Sequence, residues 1–241
     1  DFIIIGTQKG GTSSLYNALG QHPQILKATR KEVHFFDQYY KKGLDWYQQQ
    51  FPACAVGQIS GEASPFYMAH PQVAERIAKD CPATKLIVML RNPADRAISH
   101  YQQEFRRKHD LLALEQALAE EEARTTQDWQ ALARGEILTF SNAQRFSYRQ
   151  RGYYAKQLLP YFAYFSRSQI YILQSEAYFQ SPYSLLPNIY SFLGVDPDFT
   201  PTDLSIRKPG HYEKKLDKVY HELMTHFEPE NEALFDLIGT R

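Results

Sequence analysis

The chain begins with a short apolar run that passes directly into a glycine-rich loop. Residues 2–5 read FIII and residues 6–14 read GTQKGGTSS. A β-branched run that ends at glycine is typical of a strand buried on both faces, and the pattern after the loop predicts a helix that stops near Gly20. A turn of this kind presents backbone N–H groups at a helix N-terminus, which is a place where proteins bind anions such as phosphate.

The rest of the chain repeats this alternation of strand and helix. Residues 85–90 and 169–173 are apolar runs that predict buried strands, and residues 58–62 predict a shorter one. Helical patterns accompany them at residues 71–79, 94–108, 154–165 and 182–193. The alternation predicts a single-domain α/β fold over residues 1–241, with helices on both faces of a parallel, P-loop-type sheet.

The charged residues of the chain are balanced. Lysine plus arginine and aspartate plus glutamate each number 27, which argues against a nucleic-acid partner but leaves room for a pocket that binds a small anion. No apolar run is long enough for a membrane span or a signal peptide. Cys54 and Cys81 lack the spacing of a metal site, so we expect buried, reduced thiols and a cytoplasmic location. The start at Asp1 suggests a domain excised from a longer chain.

The glycine-rich loop departs from GxxxxGK[ST], the pattern of nucleoside triphosphatases. The spacing from Gly6 to Gly11 fits, but Thr12 stands where lysine would reach the β- and γ-phosphates, and the lysine of this loop is Lys9. The most apolar later strand runs into Arg91 rather than a carboxylate that could hold Mg²⁺. We therefore expect no metal, and a lysine that neutralises charge on a bridging oxygen when the bond to phosphate breaks. A P-loop kinase and a non-catalytic nucleotide-binding module are the alternatives.

A second candidate anion site follows the strand at residues 85–90. Residues 91–101 read RNPADRAISHY, so Arg91 leaves the carboxyl end of that strand, at the edge where open α/β sheets bind ligands. Ser99 falls about two helical turns further on and can meet the same anion. Two anion sites at one edge indicate a ligand with two separated phosphates.

These two motifs, in this order, resemble those of the sulfotransferases that use 3′-phosphoadenosine 5′-phosphosulfate (PAPS). Residues 31–37 (KEVHFFD), 43–47 (GLDWY) and 61–67 (GEASPFY) look like the heparan-sulfate branch of that family, so the resemblance covers nearly the whole chain. It implies an enzyme that moves the sulfonate group of PAPS to a hydroxyl without a metal and releases PAP, the desulfonated nucleotide. The cofactor-binding residues that it implies are Lys9, Gly10, Gly11, Thr12, Ser13 and Ser14 for the 5′-phosphosulfate and Arg91 and Ser99 for the 3′-phosphate.

The same resemblance assigns the catalytic groups. Transfer to a hydroxyl needs a base for the acceptor proton and a cation near the leaving phosphate, the role of the loop lysine. Glu32 matches the family's base, with His34 in support and Asp37 at a neighbouring family position. A surface carboxylate paired with a nearby cation would account for Glu32 equally simply, and His34 could be a packed core residue. His100 and Glu62 are weaker alternatives for the base.

A basic loop near the C-terminus is a further expectation from the resemblance. In the family such a loop closes over the 3′-phosphate and adenosine, and here it assigns cofactor contacts to Lys208, Gly210, His211 and Tyr212. Gly210 is a departure, because the heparan-sulfate enzymes carry arginine at that place.

Two expectations concern the middle of the chain. The acidic run at residues 120–122 is expected to form the solvent-facing side of a helix. From Thr125 to Arg151 the helical periodicity fades, so residues 110–151 are a candidate mobile segment that covers the active site. An ordinary surface excursion is the alternative.

Departures from the heparan-sulfate branch bear on the acceptor. That branch follows its glutamate with lysine, whereas here Glu62 is followed by Ala63, and a neutral chain offers little to a polyanionic sugar. The chain looks most similar to sulfotransferase domains of bacterial polyketide synthases of the curacin and terminal-olefin type. That resemblance implies, as acceptor, a 3-hydroxyacyl chain on an acyl carrier protein, whose sulfate later leaves in a decarboxylative elimination to a terminal alkene. Neighbouring polyketide synthase domains would be partners, and a heparan-type glycan O- or N-sulfotransferase is the alternative.

Overall fold

The computed structural model describes residues 1–137, 139, 141–205 and 217–240. The strands in these ranges are β1 (Phe2–Gly6), β2 (Ile25–Lys27), β3 (Ile59–Ala63), β4 (Lys85–Leu90) and β5 (Ile170–Gln174). The helices are α1 (Thr12–Leu19), α2 (Gly43–Gln48), α3 (Val73–Asp80), α4 (Pro93–Arg106), α5 (Leu114–Ala119), α6 (Glu121–Ala133), α7 (Asn142–Phe146), α8 (Tyr154–Tyr164), α9 (Ser175–Gln180), α10 (Pro182–Leu193) and α11 (Asp217–Ile238). A π-helical turn, Phe35–Tyr39, precedes α2.

The five strands form one parallel sheet in the order β2-β3-β1-β4-β5. β1 is central, and its Ile4 lies opposite Ala63 of β3 on one side and Ile87 of β4 on the other. Because the strands are parallel, their carboxyl ends share one edge of the sheet. The loops that follow β1, β3 and β4 therefore meet at that edge.

Helices cover both faces of the sheet. Along β1, Ile3 and Ile5 belong to one buried apolar cluster, which includes residues of α3 and α8. Phe2 and Ile4 belong to a second cluster, which includes residues of α1 and α10. Successive side chains of a strand point to opposite faces, so a strand covered on both faces needs apolar residues throughout. This is the physical reason that β1 reads as a continuous apolar run.

The predicted α/β fold is confirmed. The predicted strands at residues 85–90 and 169–173 correspond to β4 and β5, and the strand at 58–62 lies one residue further along as β3. The edge strand β2 was not predicted from the sequence, because three residues are too few to show a period. Pairing with β3, rather than local pattern, makes this segment a strand.

Two expectations about side-chain exposure are wrong. Glu121 belongs to the acidic run expected to face solvent, yet it is buried and its carboxylate accepts hydrogen bonds from the backbone N–H groups of Arg149 and Gln150. Cys54 is exposed instead of buried, since it lies in a surface loop, while Cys81 is half-buried. Within the ranges given above, no helix combines the length and the apolar character needed to cross a membrane.

The central strand should dominate the stability of the domain. Ile4→Ala removes a fully buried side chain from β1 and leaves a cavity, so we expect a loss of about 2–5 kcal/mol in the free energy of unfolding. Val56→Ala, at a fully exposed position, is the matched control and should change it by less than about 0.5 kcal/mol. Chemical denaturation measures both, and equal losses in the two variants would contradict the assignment of β1 as the core strand.

Candidate functional site

A cleft of about 1020 Å³ opens at the carboxyl edge of the sheet. Residues from the loop between β1 and α1 and from the loop between β4 and α4 line it. These loops are neighbours in space because β1 and β4 pair directly. The cleft thus lies where parallel α/β sheets bind their ligands.

The loop after β1 has a backbone that suits an anion. Lys9 and Gly11 have positive φ angles of 70° and 96°, and a Cβ atom at Gly11 would meet the ring of Phe179 at 2.6 Å. Glycine at position 11 therefore permits both the turn and the close packing. The cap residue of α1 is Gly11, which has no side chain to cap the helix, and the N-terminus of α1 therefore lies at the end of this loop.

The loop after β4 is tied to the loop after β1. Arg91 Nη1 donates a hydrogen bond to the backbone carbonyl of Lys9 at 3.1 Å. Asn92 Oδ1 accepts from the N–H of Ala94 at 3.0 Å and caps α4, whose first residue is Pro93. Asparagine at the cap followed by proline is a strong helix start, which explains why the chain turns sharply at the end of β4.

Most of the predicted donor-binding residues come together. Lys9, Gly11, Thr12, Ser13, Arg91 and Ser99 all line the cleft. Gly10 and Ser14 are buried behind that surface, and the Gly10 carbonyl accepts a hydrogen bond from Ser175 Oγ at 2.7 Å. The predicted contacts at Lys208, Gly210, His211 and Tyr212 lie outside the described residues.

The segment after β2 brings three titratable side chains into one row. His34 Nδ1 lies 2.8 Å from Asp37 Oδ2, and His34 Nε2 lies 3.5 Å from Glu32 Oε2. Asp37 is 1% exposed, whereas the Glu32 side chain is 40% exposed and lines the cleft. Glu32 is also 3.8 Å from Lys31 Nζ, so it has a surface ion pair as well as the histidine contact. The imidazole is thus a bridge between a buried carboxylate and an accessible one.

The two carboxylates control the protonation of His34. Burial alone would lower its pKa, but hydrogen bonds and charge from Asp37 and Glu32 outweigh burial and raise the pKa from 6.5 to about 10. At neutral pH the imidazole therefore carries a proton on both ring nitrogens and is positively charged. A cation held 3.5 Å from Glu32 favours the ionised form of that carboxyl, which is the form that can accept a proton.

The weaker candidates for the base lie in the core, away from the cleft. Glu62 and His100 are both fully buried and neither lines the cleft. A side chain enclosed by the core cannot reach the hydroxyl of an acceptor. Of the three alternatives for the base, Glu32 alone combines solvent access with a position in the cleft.

Lysine and arginine outnumber carboxylates along the cleft, although the chain as a whole is neutral. The cationic residues of the lining are Lys9, Arg30, Lys31, Arg91, Arg107, Arg145 and Arg151. The acidic residues of the lining are Glu32, Asp95, Glu104 and Glu176. A cleft of this charge attracts anionic ligands. In the part of the chain that the structure describes, no group of three or more histidine, cysteine or carboxylate side chains is arranged to hold a metal.

Two cleft residues were missed by sequence reasoning. Gln103 Oε1 accepts a hydrogen bond from Lys9 Nζ at 3.0 Å. Arg151 is 2% exposed and donates to Gln8 of the glycine-rich loop and, at 3.2 Å, to the carbonyl of Gln144. Neither position carries a local signal, because a buried arginine and a glutamine on a helix acquire their roles only through the tertiary fold.

The segment 110–151 reaches the cleft and is anchored by buried polar groups. Asp110 is 1% exposed, accepts from the Tyr148 hydroxyl at 2.5 Å and pairs with Arg124 at 3.0 Å. Glu121 provides a second anchor through the backbone N–H of Arg149 at 2.8 Å. Both the covering role and the movement of the segment stay predictions.

The site residues fit the two anionic ends of PAPS. The glycine-rich loop offers backbone N–H groups and Lys9 for one anionic group. Arg91 and Ser99 line the same cleft and offer a guanidinium and a hydroxyl for a second. The two groups of donors, which are far apart in the sequence, are therefore close together in the cleft.

The protonation of His34 can be tested directly by NMR. In the native protein we expect the His34 ring to stay protonated from pH 5 to 8, whereas His70, whose pKa burial lowers to about 4, stays neutral. Because the folded-state pKa of His34 lies above its unfolded value, the charged form stabilises the fold fully below about pH 6.5 and this contribution is lost as the pH rises through 10. Asp37→Asn should lower the His34 pKa. A titration midpoint of His34 near pH 6.5 in the native protein would contradict the charge interactions of its ring with Asp37 and Glu32.

Comparison with known proteins places the chain in a family. The family profile described as "Sulfotransferase domain" matches residues 1–234. The chain is 34% identical over 199 residues to heparan sulfate glucosamine 3-O-sulfotransferase 3B1 of Mus musculus, a match that covers 80% of this chain and 45% of the relative. The chain thus spans about half the length of the curated relatives that it matches.

Solved structures agree on the architecture. A sulfotransferase from Alicyclobacillus acidocaldarius superimposes with a TM-score of 0.81 at 32% identity, over 100% of this chain and 96% of that one. The sulfotransferase domain of the Synechococcus PCC 7002 olefin synthase gives a TM-score of 0.52 at 16% identity, over 94% of this chain and 93% of that one, which shows a shared fold. With a family profile that matches along nearly its whole length, the chain belongs to the sulfotransferase family of enzymes, whose members generally use PAPS.

Proposed function

We propose that this enzyme transfers the sulfonate group of PAPS to a hydroxyl, with Glu32 as the base and Lys9 beside the leaving phosphate. The observation that carries the proposal is that Lys9 and the Glu32–His34 pair line one cleft, although they come from the loops after different strands. PAPS supplies an activated sulfonate attached to a phosphate that leaves when the transfer occurs. The protein itself supplies the groups that bind the anions, neutralise the leaving phosphate and take up the proton of the acceptor.

The donor side holds anions and stabilises developing charge. The glycine-rich loop, with Gly10 and Ser14 shaping it from behind, supports one anionic group, and Arg91 with Ser99 supports the other. Lys9 is positioned by Gln103 at 3.0 Å and neutralises negative charge as the bond to phosphate breaks. The loop with Lys208, Gly210, His211 and Tyr212 stays a prediction for the adenosine side.

The acceptor side moves a proton. Glu32 is accessible in the cleft and takes the proton of the acceptor hydroxyl. His34 supports it as a cation that holds Glu32 Oε2 on one side and Asp37 on the other. The buried Asp37 fixes the orientation of the ring through the 2.8 Å hydrogen bond to Nδ1. These two contacts support the auxiliary role that we propose for His34.

For the acceptor, the hydroxyl of an anionic, glucosamine-containing glycan is the first candidate. The 34% identity to a heparan sulfate glucosamine 3-O-sulfotransferase supports it. Arg30, Arg107 and Arg145 support it as well, because these cations line the cleft and come from segments outside the glycine-rich loop, whereas Lys31 Nζ donates to Ser13 of that loop at 2.7 Å. Whole-chain neutrality, which argued against a polyanion, does not extend to the cleft itself.

A 3-hydroxyacyl chain on an acyl carrier protein is the second candidate. It is favoured by the fold shared with an olefin synthase domain and by Ala63, which supplies no cation where the heparan-sulfate branch carries lysine and is itself buried in the core. In that case polyketide synthase domains would be the partners and later alkene formation the purpose of the sulfate. The cytoplasmic location expected from the sequence stays a prediction.

The roles of Glu32 and Lys9 predict large effects on turnover. Glu32→Gln removes the base and Lys9→Ala removes the cation, so each should lower kcat by at least about 10²-fold. PAP should still bind Glu32→Gln with unchanged affinity by calorimetry, since Glu32 lies on the acceptor side. Glu75→Gln, an exposed carboxylate on α3, is the matched control and should turn over normally. Near-normal kcat in Glu32→Gln would exclude Glu32 as the base.

The acceptor class can be decided by mass spectrometry. The enzyme is incubated with PAPS and, in separate reactions, with a glucosamine-containing oligosaccharide and with a 3-hydroxyacyl acyl carrier protein. We expect a gain of one SO₃ group on the oligosaccharide, because the cations of the cleft bind its anionic groups. A gain on the carrier protein alone would replace the glycan with the acyl chain as acceptor. The inactive Glu32→Gln variant shows which gains depend on the enzyme.

A further inference from the structure

A fully buried carboxylate lies directly beneath the catalytic segment. Glu62, on β3, is 0% exposed, and its two oxygens accept hydrogen bonds from the hydroxyls of Tyr47 at 3.0 Å, Tyr67 at 3.0 Å and Ser64 at 2.6 Å. The backbone N–H of Val33 donates a fourth bond to Glu62 Oε2 at 3.3 Å. Burial raises the pKa of Glu62, and the hydrogen bonds from Ser64, Tyr47 and Tyr67 oppose that rise because they favour the ionised form.

Two of these hydroxyls also bind the catalytic segment. Ser64 Oγ accepts a hydrogen bond from the N–H of His34 at 3.2 Å, and the Tyr67 hydroxyl accepts one from the N–H of Phe36 at 3.3 Å. With Val33 bonded directly, three backbone N–H groups within residues 33–36 end at Glu62, either directly or through one hydroxyl. One buried side chain therefore organises the main chain that carries Glu32 and His34.

The catalytic segment needs such support because its backbone is unusual. Glu32 and His34 both have a φ of 55°, in the left-handed region that residues with a Cβ atom rarely adopt. A conformation of this kind persists only where the surroundings impose it. Val33, between the two, is fully buried, so its side chain and its N–H group are held while its neighbours turn towards the cleft.

Tyr47 provides an internal comparison within the same cluster. Its hydroxyl donates to Glu62 Oε1, as the Tyr67 hydroxyl does, and both rings are buried. The hydroxyls of Tyr67 and Ser64 each donate to Glu62 and accept from a backbone N–H group of the catalytic segment, so each connects the carboxylate to that backbone. The Tyr47 hydroxyl bonds to Glu62 but not to the backbone of the catalytic segment, so its removal weakens the cluster and leaves the bonds to that backbone in place.

We propose that Glu62 is a positioning residue, which holds the backbone of residues 32–36 and thereby aims Glu32 and His34 into the cleft. This inference rests on the proposed roles of Glu32 and His34 in sulfonate transfer. It gives the motif at residues 61–67 a task distinct from contact with the acceptor. Glu62 acts through the main chain, since the core separates it from the cleft.

The test begins with Glu62→Gln, which keeps the size of the side chain but places an NH₂ group against donors. We expect amide hydrogen exchange at Val33, His34 and Phe36 to accelerate by at least about 10-fold, because each loses part of its hydrogen bonding. We expect kcat to fall by about 10- to 100-fold while the affinity for PAP, measured by calorimetry, stays within about twofold. The exchange measurement needs neither cofactor nor acceptor.

The control must be buried, polar and on the other side of the sheet. Tyr16→Phe removes a hydroxyl that donates to the carbonyl of Gly61, the neighbour of Glu62 in β3, at 2.8 Å. The same hydroxyl accepts from the N–H of Ala28 at 2.9 Å. This variant should lose stability without faster exchange at Val33, His34 and Phe36. Equal exchange rates at these three amides in Tyr16→Phe and Glu62→Gln would show a general loss of stability and overturn the proposal.

Single-hydroxyl variants keep the proposal testable if Glu62→Gln does not fold. Tyr67→Phe should accelerate exchange at Phe36 and Ser64→Ala at His34, and both should lower kcat more than Tyr47→Phe does. Equal effects in all three would overturn the connection of Glu62 to that backbone through the Tyr67 and Ser64 hydroxyls. If Glu32→Gln is inactive while these variants and Glu62→Gln keep normal kcat and normal exchange, the positioning role fails and the proposed function stands. If Glu32→Gln turns over normally, the proposed function itself fails.

Discussion

The hydrogen bond from the Arg91 guanidinium to the Lys9 carbonyl joins the loops that follow two neighbouring parallel strands. It can form because β1 and β4 are paired and point the same way, so that both loops leave the sheet at one edge. Gly11 then turns the first loop into α1, and Asn92 turns the second into α4. The donor side of the cleft is thus a direct consequence of strand order.

The acceptor side is built by other means. Residues 32–37 carry the proposed base but contain no strand, and residues 110–151 contribute Gln144 and Arg145 from outside the sheet. Buried carboxylates take the place of strand pairing in both segments: Glu62 under the first, and Asp110 and Glu121 under the second. A buried carboxylate that accepts several hydrogen bonds fixes irregular backbone, because each unmade bond would leave a polar group without a partner.

This division explains how much the sequence could predict. Strand β1, its loop and Arg91 show local patterns, namely an apolar run, glycine spacing and a helix start, and the structure has them where the patterns indicate. Glu121 was misjudged as a solvated surface group, and the burial of Glu62 was not predicted. Burial of a carboxylate depends on residues far away in the chain, such as Arg149 for Glu121, and no local pattern records it.

The net charge of the sequence likewise does not predict the charge within the cleft. Zero net charge is a property of the whole surface, whereas recognition depends on the potential within one cleft. Here the cations are concentrated along the cleft, with Arg30 and Lys31 contributed by one segment and Arg107 and Arg145 by others. The balancing carboxylates elsewhere on the chain leave the total at zero without weakening that concentration.

The anchors of segment 110–151 have a consequence for protein engineering. Asp110 and Tyr148 stand near opposite ends of the segment and bond to each other, as do Glu121 and Arg149. A chimera that exchanges the whole segment with a relative would transplant the acceptor wall together with its internal supports. A chimera joined in the middle would separate Asp110 from the Tyr148 hydroxyl and Glu121 from the Arg149 side chain, so that a relative without these side chains would leave each buried carboxylate with fewer partners. Recombination between sulfotransferases of this type should therefore cost less stability at the borders of the segment than inside it.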